Sequence, residues 1–262
     1  MLFEEERKRL IADYVQQQGR ASVQELANHF QVSESTVRRD LRDLEELLHL
    51  RRTHGGAVAM LQNDNMEPTF VEKEDRFQQQ KLAIAQAAVS LIREGDTILL
   101  DSGTTTYHLA KLLKGFKRLT VVTNSVMVAQ ELADEKNMEL LLTGGTLRPE
   151  TLAMVGPFAE RAIADVHVDK VFLATNGFDI QTGLTTPNMI EASTKNRMIR
   201  SAQKVVLLAD HSKHGRISFC RFGDMTDVTT LITDKLLPSD AVQQLENAGL
   251  EVTLADLGGV LS

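Results

Sequence analysis

The chain has 262 residues, of which 42% are hydrophobic and 25% are charged, with a net charge of −7 and one cysteine. This length exceeds one small domain and suits a module of about 60 residues joined to a larger one. The sequence lacks an apolar run of the roughly 18 residues that a membrane helix needs, and it lacks a signal-peptide pattern. Cys220 has no partner for an intramolecular disulfide, so we expect a cytoplasmic protein with no membrane contact.

Two short helices are predicted at the start of the chain. Glu4–Gln18 has an apolar face at helical spacing and is followed by a glycine. Ser22 and Glu25 have the spacing of a capping box, in which each side chain accepts a backbone N–H of the other residue, so a second helix begins here. Gln31–Val32 then allows only a tight connection to the next element.

The third predicted helix carries a candidate DNA-reading face. Ser33 is a natural N-cap, so the helix begins near Glu34. Apolar side chains recur at helical spacing and should pack inward, namely Val37, Leu41, Leu44 and Leu48. Short polar groups and arginines occupy the opposite face and are the candidate DNA contacts Ser35, Thr36, Arg38, Arg39 and Arg42.

A basic hairpin is predicted after this helix. Leu50–Thr53 and Ala57–Ala59 are the predicted strands, and His54–Gly56 form the turn. Such a hairpin is suited to phosphates or to a minor groove, and the candidate contacts on it are Arg51, Arg52 and His54.

The order of these elements indicates a winged helix-turn-helix domain in residues 1–59. An amphipathic helix with three arginines is by itself usually a solvated face, whereas the whole tandem is far more specific. Residues 1–61 nevertheless hold nine Lys and Arg against ten Asp and Glu, a net charge of −1. Because phosphate contacts dominate non-specific affinity, we expect weak non-specific binding and a homodimer or homotetramer on repeated half-sites of double-stranded DNA.

A polar linker is predicted between this domain and the rest of the chain. Residues 60–80 contain Pro68 and no sustained apolar period, and they lead into a helix near Glu74.

From residue 81 to residue 262, helical patterns alternate with short apolar runs. The predicted helices are Lys81–Ile92, Thr106–Leu113, Val126–Leu132, Pro157–Ala164, Met189–Ala202 and Ser239–Asn247. The predicted strands are Thr97–Leu100, Leu119–Thr123, Glu139–Leu142, Lys170–Ala174, Val205–Ala209, Thr230–Thr233 and Glu251–Leu254. Continuous apolar strands are typical of sheets that helices cover on both faces, so we expect an open, mostly parallel α/β domain.

Polar segments follow several of these strands, at the edge where open α/β sheets bind ligands. They are Asp101–Thr106, Thr123–Ser125, Thr143–Gly145, Asn176–Asp179 and Asp210–Lys213. One such turn is ordinary loop chemistry, but five at one edge predict a pocket.

The first of these segments favours an anion. Its backbone N–H groups, hydroxyls and helix N-terminus suit a phosphate, to which Lys195 and Lys213 add charge. It lacks the ending of a P-loop and the dinucleotide fingerprint. The hydroxyl groups of a sugar or polyol would suit Asp101, Asn176, Asp179 and Glu191. Turn and capping roles account for the same residues, and both interpretations stay open.

Both parts of the chain resemble the DeoR family of bacterial transcriptional regulators. The N-terminal motifs are Thr36–Leu41, Leu44–Glu46 and Arg52–Ala57, with Leu48 where the family usually has glycine. The C-terminal motifs are Asp101–Thr105, Thr123–Asn124, Thr143–Gly145, Asn176–Gly177, Glu191 with Lys195, and Asp210–Lys213.

The resemblance implies a sensor domain similar in fold to ribose-phosphate isomerases and sugar-phosphate deaminases. It implies a repressor of a carbohydrate or polyol utilisation operon that responds to a phosphorylated sugar or polyol. The effector-binding residues are then expected to be Asp101, Ser102, Gly103, Thr104, Thr105, Thr106, Asn124, Gly144, Gly145, Asn176, Gly177, Glu191, Lys195 and Lys213.

Two rival functions are less favoured. One alternative is a sugar-phosphate isomerase or deaminase with an appended DNA-binding module. The isomerase pattern Asp-Gly-Ala-Asp-Glu is missing, because the nearest segment is Asn176–Asp179, and asparagine cannot act as a base. A metal site at His211 and His214 lacks further ligands at suitable spacing, so these are expected to be loop residues. We therefore predict a protein that is not an enzyme and that needs no metal or cofactor.

Overall fold

The computed structural model describes residues 4–46, 50–53, 55–59 and 67–256. The chain divides into two compact units, residues 1–67 and residues 68–262. The predicted positions of Leu48 and His54 lie outside the described residues, as does the first third of the predicted linker, residues 60–66.

In its described residues, the first unit contains three helices and a three-stranded antiparallel sheet. The helices are α1 (Glu4–Gln18), α2 (Val23–Phe30) and α3 (Glu34–Glu46), and the strands are β1 (Arg20–Ser22), β2 (Leu50–Thr53) and β3 (Gly56–Ala59). The strand order is β1-β3-β2. A Cβ at Gly56 would lie 2.1 Å from the carbonyl oxygen of Ala21, so glycine is required where β3 meets β1. Strand β1 was not predicted because three residues carry no readable periodicity.

The capping predictions for the first unit are confirmed. Ser22 Oγ accepts the N–H of Glu25 at 3.1 Å, and the Glu25 carboxylate accepts the N–H of Ser22 at 2.7 Å. Gln31 ends α2 in the left-handed region at φ 54°, which turns the chain tightly toward α3. Ser33 Oγ accepts the N–H of Thr36 at 3.2 Å. The apolar stripe of α3 packs inward with side chains of α1, α2 and the sheet.

Ion pairs made by Arg7 and Lys8 fix α3 against α1. Arg7 Nε lies 2.7 Å from Asp40 Oδ2, and Arg7 Nη2 lies 3.2 Å from Asp40 Oδ1. Asp40 is fully buried, although it lies on the apolar side of α3 beside Leu41. Lys8 Nζ lies 2.7 Å from Asp43 Oδ2. Because a bidentate pair restrains rotation as well as distance, these contacts set which face of α3 is exposed.

We predict that Asp40→Asn destabilises the first unit by about 1–3 kcal/mol, because it leaves the guanidinium of Arg7 with a weakened partner in a largely buried site. Urea denaturation of the full chain, followed by circular dichroism, measures the change. Asp13→Asn on the exposed side of α1 is the control and should have little effect. Equal stability of Asp40→Asn and the wild type would contradict the role given to the pair.

The second unit is built on a seven-stranded sheet in which all neighbours are parallel. Its strands are β4 (Thr97–Leu100), β5 (Leu119–Thr123), β6 (Met138–Leu142), β9 (Val168–Leu173), β12 (Ala202–Leu208), β14 (Thr230–Asp234) and β15 (Glu251–Ala255). The order is β15-β14-β12-β9-β4-β5-β6. Along the chain, β5 and β6 are added in turn on one side of β4, and the next strand of the sheet, β9, is added on the other side of β4. This reversal opens a crevice between the carboxyl ends of β4 and β9.

Helices cover both faces of this sheet, as predicted from its continuous apolar strands. They are α4 (Phe70–Glu74), α5 (Gln78–Val89), α6 (Thr104–Leu112), α7 (Val126–Leu132), α8 (Pro157–Ala164), α9 (Met189–Ser201) and α10 (Ser239–Asn247). One core cluster joins the sheet to α5, α6 and α7, and a second joins it to α8, α9 and α10. Short 3-10 helices span His211–Lys213 and Met225–Asp227.

Two small antiparallel sheets were not predicted. One pairs β7 (Thr146–Arg148) with β8 (Ala153–Val155), and the other has the order β10-β11-β13, comprising Gly177–Asp179, Gly183–Thr186 and Cys220–Gly223. These strands have three or four residues and include glycine and polar residues, so they lack the alternation that marks a half-buried strand.

Part of the segment assigned to the linker belongs to the second unit. Pro68 begins that unit, and α4 and the first turn of α5 follow. Thr69 and Glu72 form a capping box, and Phe70 is buried. In the described part of the chain, no helix has the length and apolar character needed to cross a membrane.

Candidate functional site

The exposed face of α3 carries the predicted DNA contacts. Ser35, Arg38, Arg39 and Arg42 are exposed, whereas Thr36 is half-buried, with its hydroxyl 2.8 Å from Ser33 Oγ. The three arginines lie opposite the buried stripe of the helix. Arg38 Nη2 lies 2.9 Å from Glu34 Oε2, but an exposed pair of this kind is worth little and breaks readily.

The hairpin β2–β3 is tied to α3 through Arg52. Its N–H donates to Glu45 Oε1 at 2.9 Å, and its guanidinium lies 3.9 Å from Glu45 Oε2 while remaining exposed. Arg51 belongs to β2, but the position of its side chain is outside the described part of the structure. The arrangement places at least one hairpin arginine next to the C-terminal part of α3.

In the second unit, a buried ion-pair network lies at the crevice between β4 and β9. Asp101 directly follows β4 and is fully buried; its Oδ1 accepts the N–H of Ser102 at 2.8 Å, and its Oδ2 accepts the N–H of Ala174 at 3.0 Å. Lys195 on α9 pairs with Asp101 Oδ2 and donates to the carbonyl of Ala174 at 3.0 Å. Asp101 and Lys195 thus join the ends of both strands to α9.

The network continues outward from Lys195. Glu191 Oε1 lies 3.6 Å from Lys195 Nζ, and Glu191 also pairs with Arg148 at the end of β7. Charges of opposite sign therefore alternate from Asp101 to Arg148. The structure thus brings together three predicted site residues, Asp101, Glu191 and Lys195. It also pairs the charge of Lys195 with the two carboxylates inside the protein.

The loop between β4 and α6 has the form of an anion site. A Cβ at Gly103 would lie 2.6 Å from the Cβ of Ala174, so glycine is needed for the loop to pack on β9. Gly103 is the N-cap of α6 and offers no side chain to the first N–H groups of the helix. Thr104, Thr105 and Thr106 are buried in that first turn. Unpaired N–H groups at a helix N-terminus favour a negatively charged ligand.

Within the described residues, several buried polar atoms near this loop have no hydrogen-bond partner. They are Ser102 Oγ, Asn124 Oδ1 and both ring nitrogens of His108. Each of these side chains is at least 96% buried. A buried polar group without a partner costs free energy, so each is a candidate for contact with a ligand or with water.

His108 was not predicted from the sequence. It lies on α6, and burial lowers its pKa to about 4, with smaller contributions from Lys111 and Lys81. The imidazole is therefore neutral at physiological pH and can both donate and accept a hydrogen bond. The sequence offered one signal that His108 belongs to the site. It lies one turn after Thr104, so the two side chains are on the same side of the helix.

Other predicted pocket residues have clear structural contacts. Asn176 Oδ1 accepts the hydroxyl of Thr186 at 3.2 Å. A Cβ at Gly177 would lie 2.1 Å from the carbonyl oxygen of Arg216. Gly144 and Gly145 both have positive φ, at 67° and 118°. Asp179 Oδ1 accepts the N–H groups of Gln181 and Thr182, both at 2.9 Å, which is a turn role.

A cluster of cations lies around Lys213, at the end of β12. Burial lowers the pKa of Lys213, Asp210 raises it, and the neighbouring cations Arg216, Lys73 and Arg76 lower it further. Burial also lowers the pKa of Lys81 to about 8, against an opposing contribution from Asp210. We call Lys73, Arg76, Lys81, Lys213 and Arg216 the cation cluster. Of these five residues, only Lys213 was predicted to lie at the site. Lys73, Arg76 and Lys81 are more than 100 residues away from Lys213 in sequence, and Arg216 resembles an ordinary surface arginine.

The two histidines of the Asp210–Lys213 region have contacts within the protein. His211 Nδ1 lies 3.0 Å from Asp234 Oδ1, and this carboxylate raises the pKa of His211. The ring of His214 lies 5.5 Å from that of Phe178. Over the described ranges, no three His, Cys, Asp or Glu side chains are grouped to hold a metal ion.

Comparison with protein families identifies both units. The profile of the DeoR-like helix-turn-helix domain matches residues 7–63, and that of the DeoR C-terminal sensor domain matches residues 76–235. The chain belongs to the DeoR family. It is therefore a DNA-binding transcriptional regulator with a helix-turn-helix domain, and this family consists of regulators and not of enzymes.

Relatives of this DeoR-family protein match along almost the whole chain. The HTH-type transcriptional regulator GlpR of Haloferax volcanii is 43% identical over 94% of this chain and 96% of its own. The putative aga operon transcriptional repressor of Escherichia coli O157:H7 is 34% identical over 95% and 93%. The HTH-type transcriptional repressor GlcR of Bacillus subtilis is 32% identical over 97% and 98%.

A ribose 5-phosphate isomerase from Methanocaldococcus jannaschii is a distant neighbour in structure. It is 18% identical, with a TM-score of 0.38, over 51% of this chain and 53% of its own.

We predict that Arg38→Ala and Arg39→Ala each weaken binding to an operator selected from random DNA by about 1–3 kcal/mol, if the residue reads a base edge. Gel-shift titration measures the effect, and binding to unrelated DNA should change much less.

Arg52→Ala should instead weaken binding to all sequences and lower the slope of affinity against salt. Arg9→Ala on the exposed side of α1 is the matched control for loss of charge. Unchanged operator affinity of both α3 variants would refute the prediction.

We predict that His108 makes the second unit less stable as pH falls. The folded pKa of about 4 lies below the ordinary 6.5, so the unfolded chain binds a proton first and stability is lost between pH 6.5 and about 4. The difference in unfolding free energy between wild type and His108→Gln should therefore change by up to about 1–3 kcal/mol across this window. Denaturation at a series of pH values measures it, with exposed His167→Gln as the control. A difference that is constant with pH would contradict the assignment.

Proposed function

We propose that this DeoR-family protein is a repressor of a carbohydrate or polyol utilisation operon and that a phosphorylated sugar or polyol modulates its binding to the operator. The repressor role is supported by the names of the aga operon repressor and of GlcR, which are similar along almost the whole chain. The effector is argued from the site itself.

The observation that carries the effector proposal is the set of unpartnered polar atoms beside an uncapped helix N-terminus. Gly103 leaves the first N–H groups of α6 without a side-chain acceptor, and Ser102 Oγ and Asn124 Oδ1 are buried without partners. Both follow adjacent strands, β4 and β5, at the edge of the sheet where ligands bind. A phosphate on the N–H groups, with sugar hydroxyls on the neighbouring polar atoms, would satisfy all of them.

The predicted site residues take two roles in this proposal. Gly103, Thr104, Thr105, Thr106 and Lys213 bind the phosphate, and Ser102 and Asn124 bind hydroxyl groups. Asp101, Glu191 and Lys195 hold the strand ends and α9 in place through their ion pairs, so that they act on the effector mainly by positioning. Gly144, Gly145, Asn176 and Gly177 shape the loops around the pocket.

The DNA-binding state is proposed to be a homodimer or homotetramer. One winged helix-turn-helix domain covers few base pairs, and residues 1–61 have no net positive charge to compensate. Two recognition helices on repeated half-sites require a fixed spacing, so a change in how the sensor units pack would change operator affinity.

We predict that Thr105→Ala and Lys213→Ala lose the response to effector but keep operator affinity in its absence. Loss of a charge-assisted hydrogen bond to phosphate should weaken effector binding at least about tenfold. A thermal-shift screen of sugar phosphates against their unphosphorylated sugars first selects the effector, because a ligand of the native state raises the melting temperature. Operator release is then titrated by gel shift, with light scattering for the oligomeric state.

The controls are Thr105→Ser, which keeps the hydroxyl, and Lys204→Ala, which removes an exposed lysine at the amino end of β12. Both should respond as the wild type does. If Thr105→Ala and Lys213→Ala respond at the wild-type effector concentration, the phosphate binds elsewhere and this site assignment is wrong.

A further inference from the structure

Four large apolar side chains are exposed around the N-termini of α8 and α9. Phe158 is the second residue of α8, and Met189 and Ile190 are the first two residues of α9. Their exposed fractions are 77%, 67% and 54%, and Phe219, which directly precedes β13, is 82% exposed. We call Phe158, Met189, Ile190 and Phe219 the apolar patch. A single exposed apolar side chain is ordinary, whereas a group of four marks an interaction site.

The start of α8 lies directly against the start of α9. A Cβ at Gly156, the N-cap of α8, would lie 3.8 Å from Cγ2 of Ile190. The N–H of Gly156 also donates to Thr194 Oγ1, one turn further along α9, at 3.3 Å. Phe158 follows Gly156 by two residues and therefore lies beside Ile190.

Phe219 reaches the same place because β13 runs alongside α9. Asn196 Nδ2 donates to the carbonyl of Phe222 at 2.9 Å, and a Cβ at Gly223 would lie 2.5 Å from Cδ1 of Ile199. The strand and the helix therefore run in the same direction. Three strand residues span about 10 Å, the length of about six or seven helical residues. Phe219, three residues before Phe222, is thus level with the first turn of α9.

The apolar patch is fixed to the ion-pair network at the crevice. Asn188 Oδ1 accepts the N–H groups of Ile190 and Glu191, both at 3.0 Å, and so caps the helix. Glu191 Oε1 lies 3.6 Å from Lys195 Nζ, and Lys195 pairs with Asp101. A molecule seated on the patch would therefore contact the end of the helix that carries this network.

The size of the apolar patch fits one interface between two folded proteins. Taking roughly 150–250 Å² for a fully exposed large side chain, the patch exposes about 400–700 Å². An interface of ordinary size buries about 800 Å² on each partner, and about 60% of that area is apolar. Aromatic residues and methionine are also the types that are enriched at the centre of such interfaces. The patch thus supplies the apolar area that one dimer interface needs.

The charges beside the patch suit a second copy of this chain. Directly after Phe158, α8 carries an acid and a base side by side, the half-buried Glu160 and the exposed Arg161. In a two-fold interface the same surface occurs on both copies, so the acid of one copy can meet the base of the other. A flank with both signs of charge offers no such match to a partner of one sign, such as nucleic acid.

We propose that the apolar patch is the surface through which the sensor units of two copies pair about a two-fold axis. The inference rests on the proposed function, in which two recognition helices bind repeated half-sites, and it adds where on the sensor unit the second copy binds. Because α9 carries both the patch and the residues that pair with Asp101, a change at the proposed pocket has a short path to the packing of the dimer.

The test is sedimentation equilibrium of the full-length protein, without DNA, over a range of concentrations. Phe158→Glu and Phe219→Glu should each raise the dissociation constant at least about thirtyfold, because central aromatic residues dominate interface energies and the two-fold axis brings in two new charges. Leu236→Glu is the matched control: Leu236 is 55% exposed and follows β14, on the far side of β12 from β9. Its dissociation constant should equal that of the wild type, and all three variants should keep the circular dichroism of the folded protein.

Chemical cross-linking locates the interface independently. In a Cys220→Ser background, Phe158→Cys or Phe219→Cys should be joined to a second copy by a bifunctional maleimide. Leu236→Cys in the same background is the control and should stay uncrosslinked at the same protein concentration.

Patch variants that keep the wild-type dissociation constant, with patch cysteines that give no cross-linked dimer, would overturn the inference, since the copies then pair elsewhere. Failure of the proposed function looks different. A wild type that is monomeric at operator-binding concentrations would remove the proposed oligomer itself. A dimer that the patch variants disrupt, but whose operator binding no phosphorylated sugar changes, would leave the interface standing and refute the proposed effector.

Discussion

The buried pair between Asp101 and Lys195 is the contact on which the sensor unit depends. Asp101 holds the N–H of Ala174, and Lys195 holds the carbonyl of the same residue, so one residue after β9 is fixed from both sides. The pair connects β4, β9 and α9 at the point where the direction of strand order reverses. Because removal of either partner would leave an uncompensated buried charge, the crevice is held in one geometry.

That geometry has a consequence for the effector recognition that we propose. With Lys195 paired inside the protein, the groups that we propose for binding a phosphate are the N-terminus of α6 and Lys213. The network on the side of α9 supplies rigidity. These ion pairs hold the strand ends in place, and the phosphate that we propose would bind without breaking them.

The DNA-binding unit uses a similar division. Asp40 and Arg7 form a buried bidentate pair that fixes α3, and the arginines left outside are exposed or make only a weak exposed pair. A surface without net positive charge can bind DNA when a few cations are held at the right place, because base contacts specify and phosphate contacts add affinity. Orientation of α3 therefore matters more here than total charge.

The order of helices and strands was largely predictable, because apolar periodicity and capping residues act over a few neighbours. Ser22, Glu25 and Ser33 define helix starts by local hydrogen bonds, and the continuous apolar runs of β4, β5 and β9 require two covered faces. The resemblance of the motifs to the DeoR family was confirmed along both units.

Contacts between distant residues could not be read in this way. The sequence predicted Asp101 and Lys195 in one pocket, but it does not indicate that they pair with each other across 94 residues. Nor does it indicate that Lys81 and Lys73 lie near Lys213. Nor does it indicate that His108 is buried without a partner. The strand order decides these juxtapositions, because parallel strands bring loops from separate parts of the chain to one edge. The sequence by itself determined which elements form and which chemistry they carry, and only the tertiary structure decided which of the charges are paired, since charge pairing depends on distance in space.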